Sequence, residues 1–527
     1  MGVEGGSVSS DSAGLKFTGH PLVDVGVAGV CAFTAKNWPE DVTLDDLDLV
    51  SDFLIEKYYS RALGTYLSCV FMNASFVQPN ESKAKSKEFQ DKILRAHRAE
   101  PDARVKGMSC VFAGLPATAA LVRTHLPLFS GEEIVNFRPA GQTFVPVAGA
   151  YVVPLMFLPM AGRRSEGRLL VVHSVDSSLM IRFAKKYLAD NQRLLSLQLP
   201  SVKALVHDGY DREQPMWDAT KKKYKFADAK GPRSLVVSDL TTIASETAPS
   251  DISPSGQAVT AYLLSNSGQD PSLQIFEIPA HASAFILRAS EQPTRSAWKA
   301  IASSFRELGS DEDEDGAPEA NKKRKTRKKK ETMAGRAGWT KNPAFEDLCG
   351  IFDAGFTDRV AASGWLKKYI LGTIEARTGN PKYARTNARN FELAKLFLEE
   401  VLGMKKARIE AIREFADRLA EWINGKNDKR LFNALARERP WELRQRLLQV
   451  QRTSAESKLL FTLDDYARVW LHEEDGKSDE SLVRDLICIR VVEKLHEAQW
   501  FSDNPDVVIE ETDDGQPAKA DTEEVVQ

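Results

Sequence analysis

The chain has 527 residues and a mass of 58.5 kDa, enough for roughly two to four domains of about 150 residues each. Its 43% hydrophobic and 28% charged residues are the balance of a globular protein, which excludes a wholly disordered chain, a fibre and a small disulfide scaffold. Formal net charge is only −3, and the five cysteines (Cys31, Cys69, Cys110, Cys349 and Cys488) are isolated, so neither a zinc ribbon nor a redox dithiol is available. A reducing cytoplasm is the expected compartment.

The expected fold class is α+β. A mixed α/β body is expected over 15–308, a flexible charged linker over 309–338 and an all-α helical bundle over 339–500. A disordered start at 1–14 and an acidic disordered tail at 501–527 flank them. Met1 to Ser12 is rich in Gly and Ser and has no basic region ahead of an apolar run, so no secretory signal is expected. Thr43 followed by LDDLDLVSDFLIEKYYSRAL reads as a helix with Thr43 as N-cap, acids in the first turn and Leu47, Val50, Phe53 and Leu54 on one face. Asp45, Asp46 and Asp48 are then first-turn acids that favour the positive end of the helix dipole. Lys83 to Arg98 (KAKSKEFQDKILRAHR) reads as a basic surface helix.

Phe144 to Gly162 is uncharged for 19 residues, but Pro146, Pro154 and Pro159 interrupt it. Each removes a backbone donor, so a buried strand-and-turn region is expected rather than a membrane span. Strands are expected at Leu169 to His173, Leu235 to Val237 and Leu273 to Ile278. A helix is expected around Leu179 to Leu188, with Phe183 and Tyr187 at helical spacing, and loops over 241–271.

Residues 309–338 (GSDEDEDGAPEANKKRKTRKKKETMAGRAG) hold an acidic block, then a basic block, with almost no apolar content. Such a segment cannot bury enough surface to offset its ordering entropy. Its run Lys322 to Lys330 reads as a solvated linker, an arm touching nucleic acid or a nuclear-localisation patch. Beyond it AKLFLEEVLG, KKARIEAIREFADRLAEWI, LFNALARERPWELRQRLLQVQ and ESLVRDLICIRVVEKLHEAQW show three-four apolar spacing. Ile409, Ile412, Phe415, Leu419 and Trp422 form one core stripe, and Asn424-Gly425 is the expected end of that helix. Charge is uneven: 501–527 carries a net −8, which leaves the rest at +5, and Arg336 to Arg468 holds 25 basic against 18 acidic residues.

Catalytic signatures are absent. There is no GxxxxGK[ST] loop, GxGxxG fingerprint, GxSxG elbow or HExxH helix, and the eight histidines show no ligand spacing. His207-Asp208 is the only His-Asp dipeptide, and a metal site needs more ligands than two. No catalytic residue, metal or cofactor is therefore expected.

Binding chemistry is present in three places. Lys221, Lys222, Lys223 and Lys225 surround Tyr224, between Trp217 and Phe226; lysines neutralise phosphates and aromatic rings stack on unpaired bases. Lys83 to Arg98 is the second. Arg377, Lys382, Arg385 and Arg389 form the third, in the Asn-rich connection ARTGNPKYARTNARN, where Arg positions phosphates and Asn reaches base edges. Lys405, Lys406 and Arg408 decorate the start of the following helix.

Thr18-Gly19-His20-Pro21-Leu22-Val23-Asp24-Val25-Gly26-Val27-Ala28-Gly29, the Thr43 helix and Cys69-Val70-Phe71-Met72-Asn73-Ala74-Ser75-Phe76 follow one another in order. This opening resembles large subunits of type I CRISPR effector complexes (Cascade), above all the I-B branch. Phe129-Ser130-Gly131 ahead of Phe137 and Gly141, and Leu169 to Asp176 with His173-Ser174, are similar as well, so the resemblance covers roughly 17–200. Relatives often carry paired cysteines of a zinc-binding insertion, which this chain lacks.

The resemblance implies a non-catalytic subunit whose partners are guide RNA, target double-stranded DNA, the backbone, guide 5′-handle and small subunits, and a separate helicase–nuclease, with no membrane. The body would lie near the guide 5′ end and the flanking motif, and the helical part, like a small subunit, along the displaced strand. Asn73, Ser75, Gln78 and Asn80 in MNASFVQPN are candidates to read the motif, with a structural turn as the alternative. An internal translation start at Met333 would release the helical part. Two rival readings stand beside this one: a nuclear interaction protein with KKRKTRKKK as import signal, and a metal-dependent nuclease built on His207 and Asp208.

Overall fold

The structure is a computed structural model. It describes residues 12–60, 63–78, 80–128, 143–165, 167–196, 216–218, 223–225, 232–246, 256–266, 271–302, 305–306, 339–340, 343–353, 359–370, 391–437, 440–453, 460, 462–471, 480–504 and 507. The fold is mixed α+β, in two compact units, Met1–Leu402 and Gly403–Gln527.

The N-terminal unit is built around α1 (Pro21–Thr34), which is buried from Leu22 to Cys31. A helix apolar on every side belongs inside a core. Pro21 opens it, where a missing N–H costs nothing. α2 (Leu44–Tyr58) begins at Thr43 with a complete capping box: Thr43 Oγ1 accepts from Asp46 N–H at 3.1 Å and Asp46 Oδ2 accepts from Thr43 N–H at 2.9 Å. Leu47, Val50 and Leu54 are buried as their spacing predicts, and the Tyr58 hydroxyl donates to the Met156 carbonyl at 2.7 Å. A short α3 (Gly64–Ser68) and α4 (Lys83–Phe89) follow, the latter running into a wide turn at Gln90–Leu94.

β1 (Ala119–Leu121) and β2 (Val145–Val147) pair antiparallel. Most of the stretch expected to be strand and turn is instead α5 (Gly149–Phe157), continued by a tight turn over Leu158–Ala161. Pro154 stands inside α5, and the surrounding core holds the helix despite the missing donor. A Cβ on Gly29 would stand 2.6 Å from Ala161 Cβ, so α1 approaches this turn closely.

β3 (Arg163–Ser165) and β4 (Arg168–Ser174) form a hairpin, followed by α6 (Ser177–Ser196) and a second hairpin of β5 (Met216–Asp218) and β6 (Lys223–Lys225). Leu235 to Val237 is not a strand but part of α7 (Pro232–Glu246). A three-residue apolar run is ambiguous alone, and here Pro232 starts a helix whose Val236 and Val237 line one small cavity with Ala261, Phe276 and Ile278 of the sheet. β7 (Val259–Ser265) and β8 (Ser272–Ile278) complete an antiparallel sheet in the order β3-β4-β7-β8. Leu169, Val171 and Leu264 turn toward the α1 core. Asp239 of α7 is a buried charge of this unit and receives Arg163, Lys186 and the Tyr187 hydroxyl.

α8 (Ala280–Ala289) and α9 (Arg295–Ala302) precede β9 (Phe305–Arg306), which pairs antiparallel with β10 (Trp339–Thr340). The two ends of the expected linker therefore lie side by side, although residues 309–338 themselves are outside the described residues. α10 (Pro343–Asp353), α11 (Arg359–Trp365) and α12 (Phe391–Glu400) belong to the N-terminal unit. Phe397 packs edge-on to Phe285 at 5.5 Å, Phe345 lies 6.5 Å from Trp298, and Arg288 pairs with Glu400. By compactness the chain divides between Leu402 and Gly403, and these aromatic contacts tie α10 and α12 to α8 and α9.

The C-terminal unit is helical: α13 (Lys406–Lys426), α14 (Lys429–Arg437), α15 (Pro440–Thr453), α16 (Leu463–Trp470), α17 (Glu480–Glu497) and a single turn α18 (Trp500–Asp503). α13 runs through the expected Asn424-Gly425 stop to Lys426 and is capped by Asn427, whose φ is 50°. Trp422 is only partly buried, on the shoulder of the stripe formed by Ile409, Ile412, Phe415 and Leu419. Pro440 divides the LFNALARERPWELRQRLLQVQ stretch into two helices. Among the described residues, no helix is long and apolar enough to cross a membrane.

Candidate nucleic-acid interface

The expected cationic patches fare differently. Lys221 and Lys222 lie outside the described residues, as do Arg377, Lys382, Arg385 and Arg389, the His207-Asp208 pair, Lys322 to Lys330 and Met333. Lys223 and Lys225 are the end residues of β6, and the hairpin register sets Trp217 opposite Tyr224, Lys223 opposite Asp218 and Lys225 opposite Met216.

Lys405 and Lys406 are exposed at the start of α13, where no acid occupies the first turn. Both add positive charge to the positive end of a helix, an arrangement suited to anions. Arg408, two residues on, is 9% exposed and directs its guanidinium to the Val469 carbonyl, with Nη2 at 3.3 Å and Nε at 3.4 Å. Its place in the helix, on the core side with Ile409 and Ile412, removes it from the surface set. Along the outer side of α13, Glu410, Glu414 and Glu421 are exposed together with Arg413, which pairs with Glu410.

The segment Lys83 to Arg98 is helical at its start, and much of its charge is neutralised. Lys85 pairs with Glu81, Lys87 with Asp91 and Lys92 with Glu88, each one helical turn apart. Arg98 reaches Asp45 and Asp48 at 2.8 Å, Arg95 pairs with Asp52, and His97 Nε2 lies 2.8 Å from Asp48 Oδ1. Burial pushes the Asp48 carboxyl up, but the bonds from Arg98 and His97 prevail and hold it below the usual range. Burial likewise lowers the His97 pKa against the pull of Asp48. The acids of α2 therefore serve this basic segment as well as their own helix start.

The Thr18–Gly29 stretch forms a closed knot at the start of α1. Asp24 is 2% exposed, and its carboxylate accepts from Thr18 N–H at 2.7 Å, Thr18 Oγ1 at 2.8 Å and Gly19 N–H at 2.8 Å. His20 Nδ1 accepts from Val23 N–H at 3.4 Å, and His173 Nε2 of β4 lies 3.7 Å from Asp24 Oδ2. Burial raises the Asp24 pKa, but His173, Thr18 and Gly19 outweigh it and leave the carboxyl below its ordinary value.

The four candidate motif readers share the turn from Val70 to Asn80. Asn73 and Asn80 are exposed, Gln78 is partly buried and Ser75 is buried. Gln78 Nε2 donates to Asn73 Oδ1 at 2.9 Å, and Ser75 Oγ lies 3.1 Å from the Tyr59 hydroxyl. Ser75 is thus an anchor, while the others stay at the surface. Sequence reasoning missed Tyr59 and Asn266, which hold this turn from α2 and from the end of β7; no local pattern marks either.

Among the described residues, no group of three or more His, Cys, Asp and Glu is placed to hold a metal ion. No family model matches the chain, and no curated protein or solved structure matches it.

Proposed function

We propose that this chain is a non-catalytic, cytoplasmic, nucleic-acid-binding subunit of the kind it resembles: the large subunit of an I-B-like type I Cascade complex. In that role it holds guide RNA and target duplex beside backbone, guide-handle and small subunits, reads a flanking motif, stabilises the opened strand and receives a helicase–nuclease.

The observation that carries the reading is the convergence of the resembling segments. Val23, Val25 and Val27, then Val70, Phe71, Ala74 and Phe76, then Leu169 and Val171 all enter one buried cluster. Short motifs far apart in sequence that meet in one core constrain a single fold, which supports treating them as one resemblance. Charge supports it at Lys405 and Lys406 and at the lysines flanking Tyr224 in β6.

The test is co-expression of the untagged chain with its neighbouring genes, followed by purification. The reading expects co-purified small RNA of uniform length and binding to duplexes matching that guide. A chain that purifies alone, free of RNA and indifferent to duplex DNA, overturns it.

A further inference from the structure

Asn73 occupies a left-handed backbone position, φ 67°, at the exposed tip of the turn. Glycine meets that geometry at least cost and asparagine is the next best, so what Asn73 adds is its side chain. That side chain is held in place, because its Oδ1 accepts from Gln78 Nε2 at 2.9 Å. Among the described residues, nothing else bonds to Asn73 Nδ2 or Gln78 Oε1. The pair therefore presents an amide donor and an amide acceptor side by side on one turn.

The support beneath is rigid. Ser75 is buried against the Tyr59 hydroxyl at 3.1 Å and Ser86 Oγ at 3.4 Å. Asn266, itself buried, ties the start of the turn to the sheet. Its Nδ2 donates to the Val70 carbonyl at 2.9 Å, its backbone N–H donates to the Cys69 carbonyl at 2.6 Å, and its Oδ1 accepts from Leu128 N–H at 2.9 Å. A polar pair on a turn braced from a helix and a strand has the pre-organisation that base recognition demands.

We propose that Asn73 and Gln78 together read a base edge that presents an acceptor beside a donor. In the major groove of a duplex that edge is adenine, with N7 as acceptor and the N6 amino group as donor. The inference rests on the nucleic-acid reading above and adds to it the chemistry that this turn selects. Ser75 is a positioning residue, because it acts through the turn and does not face the groove.

The experiment measures equilibrium binding of the full chain, with its co-purified partners, to a panel of duplexes varied one base pair at a time beside the target. Wild type should prefer adenine at one position by about tenfold. Asn73→Gly keeps the left-handed backbone, and Gln78→Met keeps the side-chain length. Both should lose that preference while their affinity for the other duplexes and their thermal midpoint stay close to wild type. A wild type without an adenine preference, or a preference that survives in both variants, overturns the proposal and leaves the nucleic-acid reading standing. Wild type that binds no duplex overturns both.

Discussion

Gly26 of α1 lies directly against the carbonyl of Pro154 in α5, where an added Cβ would stand 2.3 Å from the carbonyl oxygen. The atom it would meet is backbone in the middle of the core, so neither helix can yield cheaply. Gly26→Ala should destabilise the protein by about 1–3 kcal/mol, the usual cost of overpacking. Gly350 in α10 is the contrast, since nothing lies within 4 Å of its Cβ position. Gly350→Ala should stabilise by up to about 1 kcal/mol, through the lower entropy of the unfolded chain. Thermal midpoints of the two variants should move in opposite directions; a shift of the same sign contradicts the close crossing.

The knot around Asp24 makes a prediction about acid. Its folded-state pKa lies below the ordinary 3.8, so its contribution is complete above that value and fades as pH falls through the folded pKa. Asp24→Asn should lower stability at pH 7 by about 1–3 kcal/mol, since an amide oxygen replaces a charged acceptor for Thr18 and Gly19. The gap between variant and wild type should narrow below about pH 4. Denaturant midpoints taken from pH 7 to pH 3 check both statements, and a gap that widens in acid refutes them.

The packing of α10 and α12 predicts how the chain can be cut. A fragment beginning at Met333 carries Phe345 and Phe397 away from Trp298 and Phe285 and exposes them. It should bind a hydrophobic dye and aggregate, whereas a fragment beginning at Gly403 should stay monomeric and melt cooperatively. Sedimentation and dye fluorescence distinguish the two. A well-behaved Met333 fragment would instead support a boundary at 309–338 and a second product from an internal start.

Charge reversal tests the cationic contacts separately. Under the proposed function, Lys405→Glu with Lys406→Glu should weaken DNA binding and reduce the slope of log affinity against log salt by up to about 2, nearly one unit for each phosphate lost. Lys221→Glu with Lys223→Glu should act in the same direction. Salt titrations over roughly 50–200 mM give the number directly. An unchanged slope removes the altered lysines from the interface.

Some of this architecture was legible without coordinates because its causes are local. Thr43 and Asp46 are three residues apart, and their two bonds arise wherever a chain turns into a helix. The apolar runs Leu169 to His173 and Leu273 to Ile278 favour pleated backbone by their own side chains, and both are strands. The same local logic misread Leu235 to Val237, because a short apolar run fits the interior face of either a helix or a strand. The candidate site was less legible still. Arg408 and Lys406 look alike in sequence, but the helix turns one toward the Val469 carbonyl and the other toward solvent.

By itself, then, the sequence determined the start of α2, two strands of the central sheet (β4 and β8) and the sharp break in composition at 309–338, all consequences of residues within a few positions of one another, whereas β7 lies in the stretch 241–271 that reads as loop. Tertiary structure alone decided that Arg95 and Arg98 meet Asp52, Asp45 and Asp48 across the fold, and that Phe345 and Phe397 bind α10 and α12 to the body. It alone also braced the Asn73 turn on Tyr59 and Asn266. These depend on which distant surfaces the chain brings together, because charge pairing and aromatic burial act through space and leave no periodic trace along the backbone.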